Sequence, residues 1–356
     1  MAQSNRVGAE AKVEAGAKPP SRGLAFVFSL FVPGMGHVYL GHWRRALLWV
    51  CAPSLLLWLF CACTILVPLR WAFAWLVPAL VLVAGLAWCG AAIDVWLLPR
   101  AHFRRTAWWK LPLFWLGSLL LSVSAASVAR RFVLQAFKIP GGSMEPALMA
   151  RDHVFVNMRA FRAPPRRGQL AVFTLPDHED QDFLKRVIGL PGDRLSVSGG
   201  HPTINGWPVP HCPVGRVRLP ESEANGRAPG EVELEFLGEQ AFLIINEERG
   251  GPVPQGPWIV PANEVFVLGD NRSNSYDSRV WFNGEGGGVP FAKLIGQPMF
   301  VWLAFKSDGS VDWSRWGLPL DEPTLGNWAA ELAARLRDCL AERPPRSKTE
   351  PPPAVR

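Results

Sequence analysis

Residues 139–157 read IPGGSMEPALMARDHVFVN. A proline–glycine turn carries a lone serine, Ser143, toward HVFVN, a short run of β-branched and aromatic residues. The same alternation of turn and short run continues downstream in QLAVFTL (169–175), FLKRVIGL (183–190), AFLIIN (241–246), EVFVLGD (264–270) and GQPMFVWLAF (296–305). Such runs, punctuated by Pro, Gly, Asp and Asn, are the pattern of many short strands joined by turns. We therefore expect a mostly β domain over residues 132–320, with a more polar, Pro- and Gly-rich insertion of hairpins at about 199–263.

Upstream the pattern is different. Residues 46–69, 71–93 and 111–129 carry no charged side chain, and each run is long enough to cross a hydrocarbon layer of roughly 30 Å. They predict α-helical transmembrane spans at about 46–69, 71–98 and 111–130, anchoring the β domain within a membrane region at 24–131. The stretch 24–41, LAFVFSLFVPGMGHVYLG, is shorter and broken by Pro33, Gly34 and Gly36. Lys and Arg mark cytoplasmic loops. Residues 1–23 hold Arg6, Lys12, Lys18 and Arg22, residues 42–45 add Arg44 and Arg45, and 99–110 holds Arg100, Arg104, Arg105 and Lys110, against Arg70 alone in its loop. That distribution fits a re-entrant or short segment at 24–41 and a multi-pass chain in the cell (inner or cytoplasmic) membrane, with everything after residue 130 extracytoplasmic.

Residues 1–23 form a polar tail without a cleavable targeting pattern. Residues 321–356 suggest a short amphipathic helix, with Trp328, Leu332, Leu336 and Leu340 at four-residue spacing, and then a disordered RPPRSKTEPPPAVR tail. The net charge of +7 comes from the flanks of the spans, which argues for a lipid bilayer as partner and against nucleic acid. Of the cysteines, Cys51, Cys61, Cys63 and Cys89 lie in apolar runs. Cys212 and Cys339 have no metal-like spacing, and idle thiols are favoured over a disulfide between them.

A serine hydroxyl needs a base to become a nucleophile. His153, His178, His201 and His211 are read as exposed loop or strand residues, because none has a triad context and Ser143 lacks the elbow of an α/β-hydrolase. Lys185 is the other candidate. It sits between Phe183–Leu184 and Val187–Ile188, and burial in apolar surroundings lowers a lysine pKa by up to about 3–5 units. Snorkelling from a strand edge is the competing reading of that stretch taken alone. A third stretch, VFVLGDNRSNSYDSRVW (265–281), interleaves Asp270, Arg272, Asp277 and Arg279 with Ser273, Ser275 and Ser278, more than a solvated turn requires.

Together IPGGSMEP, the R-D-x-V-x-V run, KRVIGLPGD and GDNRSNSYDSR resemble, in order, the blocks of the type I signal peptidases, membrane-bound Ser/Lys endopeptidases that remove signal peptides from exported proteins. The resemblance covers roughly residues 132–306. It implies a signal-peptidase-like β catalytic fold, Ser143 as nucleophile, and Lys185 as general base and then acid. Ser275 matches a serine that orients the lysine amine, and Asp270, Arg272, Asp277 and Arg279 match positions that hold the site together. No cofactor or metal is implied. The partners implied are preprotein signal peptides, cleaved after small residues in an A-x-A pattern, with the protein export machinery alongside.

Phe137, Ile139, Met144, Leu148 and Leu184 are candidates to line shallow apolar substrate pockets, with ordinary β core as the competing reading. Two departures stand out. Gly141 occupies a position where many relatives carry a serine that helps bind the oxyanion, and the Gly-rich loop at 284–288 is longer than usual and is expected to flex over the site. The short chain between residues 130 and 143, at most roughly 45 Å extended, places the expected site near a bilayer. A dedicated peptidase for one secreted, conjugation or pilus substrate and an idle membrane-anchored β binding domain are the alternatives. A self-cleaving repressor of the Ser/Lys class would be soluble and carry a DNA-binding helix pair.

Overall fold

The computed structural model describes residues 20–51, 55, 73–99, 103, 106–132, 134–175, 178–218, 229–246 and 254–353. The chain forms two compact units, Met1–Arg130 and Arg131–Arg356.

In the first unit, α1 (Arg22–Phe31) begins where the Ser21 side chain accepts a bond from the Leu24 backbone N–H. It ends at Val32, which is extended because the residue before a proline is pushed out of the helical region. Gly34 turns the chain with φ +87° into α2 (Met35–Tyr39). The broken stretch at 24–41 is thus two helices around a Pro33–Gly34 turn. Helix α3 (Phe73–Leu97) packs against α1 and α2, and its Asp94 meets His37 Nε2 at 2.9 Å, Arg45 Nη1 at 2.9 Å and Trp49 Nε1 at 3.0 Å. Helix α4 covers Lys110–Phe132.

The span expected at 46–69 lies mostly outside the described residues. Those at 71–98 and 111–130 fall on α3 and α4, which expose Leu82, Leu86, Trp96, Leu116 and Leu120 among others. Among the described residues no helix is long and apolar enough to cross a membrane, so none of the three expected spans is found there.

The second unit is built on a seven-stranded antiparallel sheet, ordered β1 (Leu134–Lys138), β2 (Asp152–Asn157), β14 (Leu294–Ala304), β3 (Leu170–Leu175), β4 (His178–Gly189), β12 (Glu264–Leu268) and β13 (Val289–Pro290). Strand β2 alternates as a half-buried strand should: Val154 and Val156 point into the core while Phe155 stacks on Trp302 at 5.3 Å between ring centroids. The mostly β domain expected from the sequence is what the second unit adopts.

Between β4 and β12 the chain builds two further sheets. One is ordered β11 (Gln255–Ile259), β5 (Arg194–Ser198), β6 (His201–Ile204), β7 (Trp207–Pro208), and the other β10 (Gln240–Asn246), β9 (Gly230–Leu237), β8 (His211–Val217). The insertion therefore starts with β5, a few residues before the expected 199.

Two expectations at the C-terminus are corrected. Cys212 and Cys339 are joined in a disulfide, with Cα atoms 5.8 Å apart. The bond ties α5 (Ala333–Ala341) onto β8, and Leu336 and Cys339 are buried against Val232, Leu234 and Leu243. Closing a loop across a separation of 127 residues contributes about 4–5 kcal/mol in the chain-entropy account. The tail is ordered through residue 353. Thr349 is buried, its carbonyl accepting from the Gly238 N–H at 2.7 Å and its hydroxyl donating to the Gly238 carbonyl at 2.9 Å, and Asn205 Nδ2 donates to the Pro352 carbonyl at 2.8 Å. A Pro-rich composition signals the lack of a core of its own, and here the β9–β10 turn supplies the partners. The side chain of Trp328 and residues 354–356 lie outside the described set.

Candidate active site

Ser143 stands on the tight turn after β1, closed by a Glu145 N–H bond to the Gly142 carbonyl at 3.2 Å and a Leu148 N–H bond to the Met144 carbonyl at 2.9 Å. Gly142 is needed there, since a Cβ would come within 2.7 Å of the buried Glu145 carboxylate. Asn271 clamps the turn from the other side. Its backbone N–H reaches the Ser143 carbonyl at 3.1 Å, and its Nδ2 reaches the Gly142 carbonyl at 3.1 Å and Glu145 Oε2 at 3.3 Å. Gly269 makes that approach feasible, because a Cβ on it would lie 2.5 Å from the Ser143 carbonyl oxygen.

Lys185 lies in the middle of β4, opposite Ala171 of β3, and is only 3% exposed. Its Nζ is 2.5 Å from Ser143 Oγ. Burial pushes the lysine pKa down to about 8, with Asp277 and Asp270 pulling it back up and Arg279 adding to the depression. With that value about a tenth of the amine is neutral at pH 7, against well under 0.1% for an ordinary lysine. The snorkelling alternative is excluded by this burial. The arrangement supplies a hydroxyl and a partly deprotonated amine in contact, which is the requirement for a base-activated nucleophile.

The polar loop after β12 is a set of buried ion pairs. Arg186, the neighbour of Lys185, binds both oxygens of Asp270 at 2.7 and 2.6 Å and lies 4.1 Å over the Phe242 ring. Arg272 binds both oxygens of Glu235, at 2.7 and 2.5 Å, and also the Gly200 and Gly269 carbonyls. Arg279 binds Asp277 through Nε and Nη2, each at 2.8 Å, and donates to the Arg272 carbonyl. Burial would raise the Asp277 carboxyl, but Arg279 and the Gly269 N–H outweigh it and hold it below the ordinary carboxylate range. Arg186, Glu235 and Gly269 escape the sequence reading, as does the clamping role of Asn271 within the polar stretch. The signals present were the K-R dipeptide and an acidic residue on β9, both without a visible partner.

Other expected residues are placed as follows. The expected bond between Ser275 and Lys185 is not among the described bonds: the amine is turned to Ser143 instead, and Ser275 packs against Gly269 with its hydroxyl beside the Asp277 carboxylate, which it helps to hold ionised. Of the proposed pocket residues, Ile139, Met144 and Leu148 are buried in the core, and Phe137 and Leu184 are only partly buried. At Gly141 an added Cβ would meet nothing within 4 Å. The 284–288 loop is not a free flap. Gly286 and Gly287 donate to the Trp281 and Ser278 carbonyls at 3.0 and 2.9 Å, and Trp258 Nε1 donates to the Glu285 carbonyl at 2.8 Å.

His153 packs edge-on against Trp302 and Phe305, and the side chain of His178 lies outside the described residues. His201 and His211, expected as exposed loop or strand residues, lie on strands and are stacked with ring centroids 4.1 Å apart.

Comparison with known proteins adds an independent line. The family described as signal peptidase, peptidase S26, matches residues 113–303. Signal peptidase I of Pseudomonas fluorescens is 34% identical over 214 residues, covering 54% of this chain and 73% of that protein. Signal peptidase I of Pseudomonas aeruginosa is 34% identical over 216 residues with the same coverage, and that of Rickettsia typhi is 29% identical over 220 residues, covering 53% and 80%. A crystal structure of a signal peptidase I from Enterococcus faecalis matches at 25% identity with a TM-score of 0.24, covering 38% of this chain and 97% of that one.

Proposed function

The chain belongs to the signal peptidase family, peptidase S26, and on that premise we propose that Ser143 and Lys185 are the catalytic dyad with which it cleaves its substrates. It is a serine peptidase that removes signal peptides from preproteins. The observation that carries the dyad is the 2.5 Å contact of Ser143 Oγ with an amine whose pKa is lowered to about 8 by burial.

Neutral Lys185 takes the Ser143 proton as Oγ attacks the scissile carbonyl. The resulting ammonium returns the proton to the leaving amine, and the same amine, neutral again, activates the water that hydrolyses the acyl-enzyme. The backbone N–H of Ser143 is one donor for the oxyanion. Strand β12 pairs with β4 only as far as Leu268 opposite Arg186, so residues 182–184 have no strand partner on that side among the described pairs. An extended substrate can add there as a strand, between β4 and the chain leading into Ser143. Phe137 and Leu184, which keep exposed surface, border that path above a floor that includes Ile139, an arrangement suited to small residues on either side of the A-x-A pattern.

For the setting, the reading is a multi-pass anchor in the cell membrane with the β unit outside the cytoplasm. The uncharged runs 46–69, 71–93 and 111–129 and the exposed Leu and Trp side chains of α3 and α4 support the anchor. The Cys212–Cys339 disulfide supports an oxidising compartment.

The test is cleavage of a preprotein by the purified full-length chain beside Ser143→Ala and Lys185→Met. Both variants should lose cleavage while keeping the wild-type melting temperature. Unchanged cleavage by either one would remove that residue from the dyad.

A further inference from the structure

The stacked histidines of the insertion face a carboxylate. His201 on β6 puts Nε2 at 3.4 Å from Glu233 Oε1, and His211 on β8 puts Nε2 at 3.6 Å from Glu233 Oε2. One ligand atom from each of the three lies within 4.8 Å of the others. Four-coordinate zinc with bonds of about 2.0–2.1 Å sets its ligand atoms about 3.4 Å apart; each Nε2 is already near that distance from one Glu233 oxygen, and turning the carboxylate and the two stacked rings brings both nitrogens and one oxygen onto a single ion. His211 lies directly opposite Glu235 on the paired β9, and Glu233, two residues along, shares its face of the sheet.

The rear of each imidazole is also arranged. His211 Nδ1 is 3.4 Å from the Val209 carbonyl, and His201 Nδ1 is 3.8 Å from Glu235 Oε1. For His211 the acceptor behind Nδ1 favours the tautomer that presents a bare Nε2, which is the usual support for a metal-ligating histidine, whereas Nδ1 of His201 lies beside Glu235 without a hydrogen bond. Glu235 is itself held in place by Arg272.

We propose that His201, His211 and Glu233 form a binding site for a divalent transition metal of the zinc class, with the fourth position open to water. The donor set of two imidazoles and one carboxylate is that of zinc sites with an open position, and imidazole ligation disfavours magnesium and calcium. The site joins strand β6 of one inserted sheet to β8 and β9 of the other, so the ion acts as a staple across the insertion. Through Glu235 and Arg272 it also adjoins the loop that clamps the Ser143 turn. The three ligands come from three strands and no linear motif connects them, which is why the sequence shows nothing at these positions. The proposal does not depend on the peptidase reading.

Full-length protein without an affinity tag, stripped with chelator, is titrated with zinc chloride alone by calorimetry near pH 7.5. Wild type should bind one ion per chain at micromolar or tighter concentration and melt higher in its presence, since a ligand of the folded state stabilises it. His211→Ala, whose side chain is 40% exposed and whose loss the fold tolerates, and Glu233→Gln should each weaken binding by at least about tenfold, while His153→Ala should not change it. Cobalt in place of zinc should give a visible absorption band that disappears in His211→Ala. No uptake by wild type at tens of micromolar, or uptake by His211→Ala equal to wild type, as free cysteines elsewhere would produce, overturns the site.

Discussion

The two faces of β4 treat a buried cation in opposite ways. Lys185 and Arg186 are consecutive, and each is 3% exposed. Arg186 is met by both oxygens of Asp270 and by the Gly168 carbonyl, so its charge is compensated by direct partners. Lys185 is given a hydroxyl and no direct carboxylate; the nearest acids, Asp277 and Asp270, are committed to Arg279 and Arg186. The difference lies in the partners: pairing the neighbouring carboxylates with arginines leaves burial as the largest influence on Lys185, and its pKa falls to about 8.

The sharpest way to break the comparison is to remove each cation in turn. Lys185→Met should abolish preprotein cleavage, by about 10⁴-fold or more, without lowering the melting temperature at pH 7. At that pH the wild-type amine, below its folded pKa of about 8, is mostly charged in a place that disfavours charge, and Met removes that burden. A melting temperature that fell sharply would mean that Lys185 is structural.

Arg186→Met should do the reverse. Asp270 is left as an unpaired buried carboxylate, which costs about 3–5 kcal/mol, read as a loss of denaturation midpoint. The double variant Arg186→Met with Asp270→Asn should recover a large part of it. A single variant as stable as wild type would show that the pair does not hold the loop.

How far the sequence foretold this follows from where the partners lie. Ser143 and Lys185 were legible because each sits in a block whose local chemistry is unusual and because the blocks occur in order. The alternation of short β-branched runs likewise announced a mostly β domain. Arg186 could be read but not assigned, since Asp270 is 84 positions away and charge pairing across a sheet leaves no periodicity. The same applies to Glu235 and Arg272, to the Cys212–Cys339 bond, and to the histidines of β6 and β8. The C-terminal tail misled for a related reason: composition reports what a segment can bury by itself, and Thr349 is buried by a turn of another hairpin.

A smaller effect tests the isolation of the lysine directly. Cleavage measured as kcat/KM should rise tenfold per pH unit up to about 8 and then level off, because the neutral amine is the active form and predominates above its pKa. Asp277→Asn removes the acid that most strongly raises the lysine pKa and frees Arg279, which lowers it. Both changes act in the same direction, so the midpoint should move to lower pH. The midpoint does not depend on how much of the variant is folded, which separates this reading from simple destabilisation. A midpoint that stays at 8 would show that Asp277 is not felt by the base.

The least effect is expected at Gly141, on the nucleophile's side of the same contact. A Cβ there would meet no atom within 4 Å, and Gly141 is exposed, so Gly141→Ser introduces a hydroxyl without forcing the turn that Asn271 clamps. Where such a donor is native, its loss costs about 2.7–4 kcal/mol of barrier. A donor added to a site that works without one finds no preorganised partner and loses rotamer freedom on binding the oxyanion, so it should recover only a fraction, a rise in kcat of about two- to tenfold with KM unchanged. The split between the two constants is the informative part, because an interaction made only in the transition state raises kcat alone. A raised KM with unchanged kcat would place the new hydroxyl in the path of the substrate and show that the space beside Ser143 is occupied by the peptide, with the oxyanion served by backbone N–H groups.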